Sequence, residues 1–167
     1  GKPQTVGRDL AHFVFGLPED RVRAVVKDVG GGFGAKNPLY PEQALVLWTA
    51  KKLDRPVRWQ ASRSETFLAD YQGRGQAADA EMAFDADGKV LAFRVRVLAD
   101  LGAFLGPRGS TAPNMWRTMG ASVYDFPAVD YEVRAIHTHN MPTSPYRGAG
   151  APEAIFIIER LFDMAAA

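Results

Sequence analysis

The chain has 167 residues, 47% apolar and 23% charged, with 20 basic and 19 acidic side chains for a net charge of +1. That is an ordinary globular composition, long enough for one domain with a proper core and short for two, and its evenly spread charge argues against nucleic acid or an anionic membrane surface as main partner. With no cysteine, disulfides, iron–sulfur ligation and a thiolate-rich zinc site are excluded within this chain, and with neither a bilayer-length apolar run nor an export leader a cytoplasmic location is expected.

In chain order, residues 7–15 read as a short helix ended by Gly16 and Pro18. The valine-rich run 22–29 reads as a buried strand that feeds the glycine segment Gly30-Gly31-Gly32-Phe33-Gly34. Pro41 and Glu42 open a helix to Leu53, with Leu45, Leu47 and Trp48 expected to turn inward. Pro56–Trp59 reads as a short strand and Ser62–Leu68 as one or two helical turns.

Alternation is clearest from Ala78 to Phe84 and again from Phe93 to Val97, with Asp87-Gly88 between them, which predicts a β-hairpin with one wet face. Asp79 and Glu81 on its first strand are expected to face Arg94 and Arg96 on its second. A long loop over 102–114, a strand over Asp130–Thr138 and a closing helix over Pro152–Ala165 complete the pattern. Helices and strands mix without regular alternation. The fold class expected is α+β, a mixed and mainly antiparallel sheet with packed helices, with no boundary inside 1–167.

Two glycine-bearing segments carry the chemistry. Gly31, Gly32 and Gly34 bare their backbone after an apolar run, and successive N–H groups of that kind can cradle an anion. Pro38 follows too soon for the continuous helix that a dinucleotide fingerprint requires. The segment is therefore either a tight turn packing Phe33 into the core or a wall that presents Phe33 to a flat ligand. The second segment, Arg147-Gly148-Ala149-Gly150-Ala151-Pro152-Glu153, places a proline at a helix start with no Ser, Thr, Asp or Asn to cap it. The first N–H groups of that helix face either water or an anionic oxygen, with Arg147 adding a planar donor fork beside them. His137 and His139 have metal-pair spacing but no third ligand nearby, so they read as structural or surface residues, and His12 as structural. Glu42 and Glu153 read as carboxylates favoured by a helix dipole.

With these segments in the order Gln4, Gly16-Leu17-Pro18, Asp28–Lys36, Pro41-Glu42, Gly102-Ala103-Phe104, Pro142-Thr143 and Pro145–Glu153, the whole chain resembles the molybdopterin-binding large subunit of the xanthine dehydrogenase and aldehyde oxidase family. Within it, the carbon monoxide dehydrogenase-like branch is the nearest. The resemblance implies part of a molybdenum hydroxylase that oxidises an aldehyde or N-heterocycle with water-derived oxygen. It implies a molybdopterin, in the cytosine dinucleotide form, whose own sulfurs hold the metal, so that no protein residue ligates molybdenum. It further implies partner subunits carrying FAD and [2Fe-2S] clusters, and a general-base glutamate downstream of residue 167, so that no catalytic residue lies within this chain. The chain itself reads as an internal piece of a longer protein.

Carried over position by position, Gln4 would meet an oxygen ligand of the metal. Gly31, Gly32, Phe33, Gly34, Arg147, Gly148, Ala149 and Gly150 would contact the cofactor, and Phe33, Asn37 and Ala149 would line the substrate pocket. Several positions depart from the family's pattern. Gly148 replaces the copper-binding cysteine of carbon monoxide dehydrogenases, Ala149 the aromatic clamp of purine oxidisers and Asn37 their glutamate. Ala151 replaces an arginine common in this branch. A reading from another class is a non-catalytic anion- or nucleotide-binding module built on the same two glycine segments.

Overall fold

Proline, with its fixed φ and missing N–H, suits a first helical turn, and it starts the first helix of the computed structural model, which describes residues 2–167. The chain divides in sequence between Asp70 and Tyr71 into two compact units. In the first, α1 (Pro3–Asp9) runs on through a wider π-type segment, Leu10–Phe15, and stops at Gly16, whose φ of 60° closes the helix from the left-handed region. The helix thus begins earlier than residue 7, because Pro3 already supplies a competent first turn. α2 (Pro41–Leu53) matches its expected bounds. α3 (Arg63–Ala69) opens with a capping box in which Glu65 N–H donates to Ser62 Oγ at 3.2 Å and Ser62 N–H donates to the Glu65 carboxylate at 2.7 Å. The hydrogen bonds from Ser62 hold the Glu65 carboxyl below its ordinary range.

Three expectations fail in this unit. Residues 22–29 and 56–59 form no ladder, and Val25 is 65% exposed. β propensity describes how a side chain fits a pleated surface, and no strand among the described residues offers these segments an edge. In α2 the half-buried side chains are Glu42, Ala44, Val46, Thr49 and Ala50, whereas Leu45, Leu47 and Trp48 are exposed. Apolar residues lie all round that helix, so its sequence selects no single inward stripe.

The second unit is a helix-on-sheet layer. β1 (Gln76–Phe84) and β2 (Val90–Asp100) pair antiparallel as expected, with Glu81 opposite Arg94 and Asp79 opposite Arg96. The hairpin closes through a wider turn than two residues: Asp85 N–H donates to the Lys89 carbonyl, and the Asp85 carboxylate accepts from the N–H groups of Asp87 and Lys89. After the helix α4 (Thr111–Met119), β3 (Val129–Ile136) joins β2 in parallel, giving the order β1-β2-β3. The sheet is mixed and the class is α+β. Residues 102–110 run as turns, as expected, but the loop expected over 102–114 ends early, since α4 begins at Thr111; Pro113 falls in its first turn, where proline is tolerated.

The chain closes with α5 (Ala151–Ala166), and α4 and α5 cover one sheet face. There Phe93, Val95 and Val97 of β2 meet Trp116 of α4 and Ala154 and Ile158 of α5, all essentially sealed from solvent. Trp116 reaches no water, so its indole N–H donates to Gln76 Oε1 at 2.7 Å. On the opposite face the arginine ion pairs run to β3 rather than to β1. Arg94 and Arg96 both reach Asp130, at 3.2 and 2.7 Å, and Arg96 also reaches Glu132 at 2.9 Å. Acids of both neighbouring strands stand opposite these arginines in register, and among the described ion pairs those of Arg94 and Arg96 go to β3.

Asp100, at the end of β2, ties the loops together. Its carboxylate accepts from Gly102 N–H at 2.6 Å, Thr138 Oγ1 at 2.7 Å and Asn140 Nδ2 at 2.7 Å. Its carbonyl accepts from Thr143 Oγ1 at 2.7 Å. The Asn140 and Thr138 bonds hold this carboxyl below the usual aspartate range. Since the folded-state value lies below the unfolded one, the resulting stability is complete above the unfolded value and is lost as pH falls through the folded one. Asp100→Asn is therefore expected to cost about 1–3 kcal/mol near neutral pH, with the gap to the parent narrowing below about pH 5. Urea denaturation across that range checks it, and a gap independent of pH contradicts it.

Candidate functional site

In the second unit the segment leading into β1 lies beside the segment leading into α5. Gln72 N–H donates to the Pro142 carbonyl at 3.1 Å and Ser144 N–H to the Gln72 carbonyl at 2.9 Å, while Thr143 and Ser144 are buried. At Gly73 a Cβ would lie 2.8 Å from Tyr146 Cβ. Beyond this contact the chain turns, with Ala149 N–H donating to the Tyr146 carbonyl at 2.7 Å.

Gly148, Ala149 and Gly150 then take three successive positive φ values of 92°, 48° and 103°. A Cβ at Gly150 would stand 2.4 Å from the Ala112 carbonyl oxygen and 2.8 Å from Met115 Cβ. The loop is thus pressed against α4, and only glycine fits there. Bare backbone at Gly150 serves the chain's own packing as well as any ligand.

α5 begins immediately, with Gly150 at its N-cap and no side chain capping it. Ala151 N–H donates to the Gly148 carbonyl at 3.0 Å and Ala154 N–H to the Gly150 carbonyl at 3.1 Å. Among the described hydrogen bonds none uses the N–H of Gly148 or Gly150.

Arg74 fixes this loop from the side. Its Nη1 donates to Glu153 Oε2 at 2.8 Å, its Nη2 donates to the Arg147 carbonyl at 2.6 Å, and its guanidinium lies 5.5 Å from the Tyr146 ring centroid. Glu153 is therefore an ion-pair partner besides a helix-start carboxylate, and its second oxygen, Oε1, is buried without a hydrogen-bond partner. Sequence reasoning passed over Arg74. The signal was Gly73-Arg74-Gly75, a cation between two residues that let the backbone come close to its neighbours.

The remaining expected site residues belong to the first unit. Gln4 is exposed on α1, at a shallow depression of about 260 Å³ shared with Gly7 and Arg8. In the first glycine segment Asn37 N–H donates to the Gly34 carbonyl at 2.9 Å, which makes a tight turn. Phe33 occupies the left-handed region at φ 47° and is 52% exposed, so it does not enter the core. Its ring folds back over Gly31, where a Cβ would lie 2.6 Å from it. Asn37 is half-buried.

His137 lies just past the end of β3, so His137 and His139 do not share a strand face; His137 Nδ1 lies 3.0 Å from the Gly102 carbonyl. Among the described residues no cluster of His, Asp and Glu could hold a metal ion. No described helix is long and apolar enough to cross a membrane.

Comparison with known proteins assigns this architecture. The profile of the molybdopterin cofactor-binding domain matches residues 2–167. The chain belongs to the molybdopterin cofactor-binding domain family. This molybdopterin-family chain is 35% identical over 164 residues to the carbon monoxide dehydrogenase large chain of Hydrogenophaga pseudoflava, covering 96% of this chain and 20% of the relative. It is 31% identical to the nicotine 6-hydroxylase large subunit of Paenarthrobacter nicotinovorans, covering 95% and 21%. Among solved structures it superposes on quinoline 2-oxidoreductase from Pseudomonas putida 86 with a TM-score of 0.93 at 36% identity, covering 98% of this chain and 21% of that one. The chain spans about a fifth of the length of these relatives.

The loop geometry makes a paired prediction. Gly150→Ala is expected to destabilise the protein by more than the roughly 1–2 kcal/mol of a left-handed L-residue, because the new Cβ also meets α4. Ala149→Gly removes such a residue and is expected to stay within about 1 kcal/mol of the parent. Equal effects of the two substitutions on the urea midpoint contradict the described loop.

Proposed function

We propose that this chain is the part of a molybdenum hydroxylase subunit that holds a molybdopterin, in its cytosine dinucleotide form, at the loop 145–153. The observation that carries this reading is the left-handed run Gly148-Ala149-Gly150 ahead of an uncapped α5, with two backbone N–H groups that use no acceptor among the described hydrogen bonds. Such donors suit a group rich in anionic and carbonyl oxygens, so the residues present fit the cofactor. When bound, the molybdopterin would supply a two-electron acceptor for substrate oxidation.

The work of this chain's own residues is binding and shape. Gly148 and Gly150 offer N–H donors, and Arg147 adds a permanent positive charge beside them. On the resemblance, Gln4, Gly31, Gly32, Phe33 and Gly34 also contact the cofactor, and Phe33, Asn37 and Ala149 line the substrate pocket. Ala149 is small and Asn37 neutral, which suits an aldehyde or a simple N-heterocycle better than a purine. Gly148 offers no thiolate for copper, which disfavours carbon monoxide. Subunits carrying FAD and [2Fe-2S] clusters would carry the electrons away. The general base lies outside this chain, so the 167-residue chain alone is expected to show no turnover.

Metal and pterin analysis of the full-length protein tests the reading. Molybdenum bound together with a pterin that releases cytidine monophosphate on acid hydrolysis is expected, with the molybdenum content lowered in Gly150→Ala. A bound nucleotide without metal contradicts it and favours the non-catalytic module.

A further inference from the structure

We infer that Arg74 is a positioning residue for the cofactor loop: by bridging the Glu153 carboxylate and the Arg147 carbonyl, it holds residues 147–150 in the shape that receives the cofactor. The inference rests on the molybdopterin reading above and goes beyond it, because Arg74 is remote in sequence from the loop and belongs to neither glycine segment.

Arg74 pays attention to both ends of the loop at once. The Arg147 carbonyl precedes the left-handed run, and Glu153 sits in the first turn of α5 just after it. One planar guanidinium therefore fixes the distance across Gly148, Ala149 and Gly150, with Tyr146 beneath it. Arg74 itself sits at φ 66°, an uncommon conformation for a side-chain-bearing residue, and Gly73 and Gly75 on either side pack at 2.8 Å against Tyr146 and 3.2 Å against Asp100 by the position of a would-be Cβ. Strain of this kind persists where the surroundings over-determine it, and such positions cluster at ligand clamps.

The bridge also sets the charge at the start of α5. Glu153, in the first helical turn, would repel an anionic ligand if it were unpaired. Pairing with Arg74 offsets that carboxylate's charge at the start of the helix. A lysine could pair with Glu153, but a single ammonium on a flexible stem does not reproduce the fork that spans carboxylate and carbonyl together.

The test uses the full-length protein carrying Arg74→Ala or Arg74→Lys. Molybdenum and pterin per folded protein, the Mo(V) electron paramagnetic resonance spectrum and the melting temperature are measured side by side. The expected result for Arg74→Ala is a severalfold loss of molybdenum and pterin, or an altered Mo(V) spectrum in the fraction still loaded. Arg74→Lys is expected to lie between Arg74→Ala and the parent. A merely structural role would lower the melting temperature and leave the metal content of folded protein and its spectrum unchanged, and that result overturns the inference. If Arg74→Ala does not fold, Arg74→Lys decides alone: parental metal content and spectrum in that variant overturn the positioning role. A parent protein without molybdenum defeats the functional reading itself, and the inference falls with it. A loaded parent with unaffected variants defeats only the role of Arg74.

Discussion

The contact on which the second unit turns is that of Gly150 with α4. With a Cβ excluded by the Ala112 carbonyl and Met115, the backbone of the loop can approach the helix directly. That approach fixes where α5 begins. α5 in turn delivers Ala154 and Ile158 to the core formed by Phe93, Val95, Val97 and Trp116. Core and loop are therefore one construction: the helix that seals the sheet is the helix whose uncapped start faces the loop. A change that spoils the contact is felt on both sides of it, in packing and in the positions of the N–H groups at Gly148 and Gly150.

Much of this unit is legible in the sequence because its signals are local. Strict alternation from Ala78 to Phe84 and from Phe93 to Val97 gives the hairpin, and Pro152 after a cap-less loop gives the start of α5. Pairings that depend on the third strand are not legible. Arg94 and Arg96 face acids on two neighbours, and the sequence does not say that Asp130 and Glu132 of β3 make the short contacts. α4 was hidden by Pro113 and its polar surroundings, which look like a loop until the helix boundary is known. Arg74 was hidden for a related reason: its partners are 73 and 79 residues away, and nothing in its own surroundings names them.

The first unit teaches the opposite lesson. Valine-rich composition at 22–29 points to a strand, yet a strand exists only with a neighbour to bond, and these residues form no ladder and are mostly exposed. Leu45, Leu47 and Trp48 stand in the same relation to α2: apolar in composition, yet exposed because other faces of the helix are the half-buried ones. Local elements follow their caps and prolines closely here, as Pro3, Gly16, Pro41 and Ser62 demonstrate. Burial depends on the partners that surround them. The turn over 33–36 lies between these cases, since its geometry is local and the exposure of Phe33 is what the sequence left open.

The central claim is that backbone N–H groups of the loop before α5 hold the cofactor. It is tested most directly by a crystal structure of the full-length protein in its cofactor-loaded form. The account predicts a cofactor oxygen accepting a hydrogen bond from the N–H of Gly148 or Gly150. An ordered cofactor whose oxygens are all held elsewhere, with only water at these two groups, would contradict it.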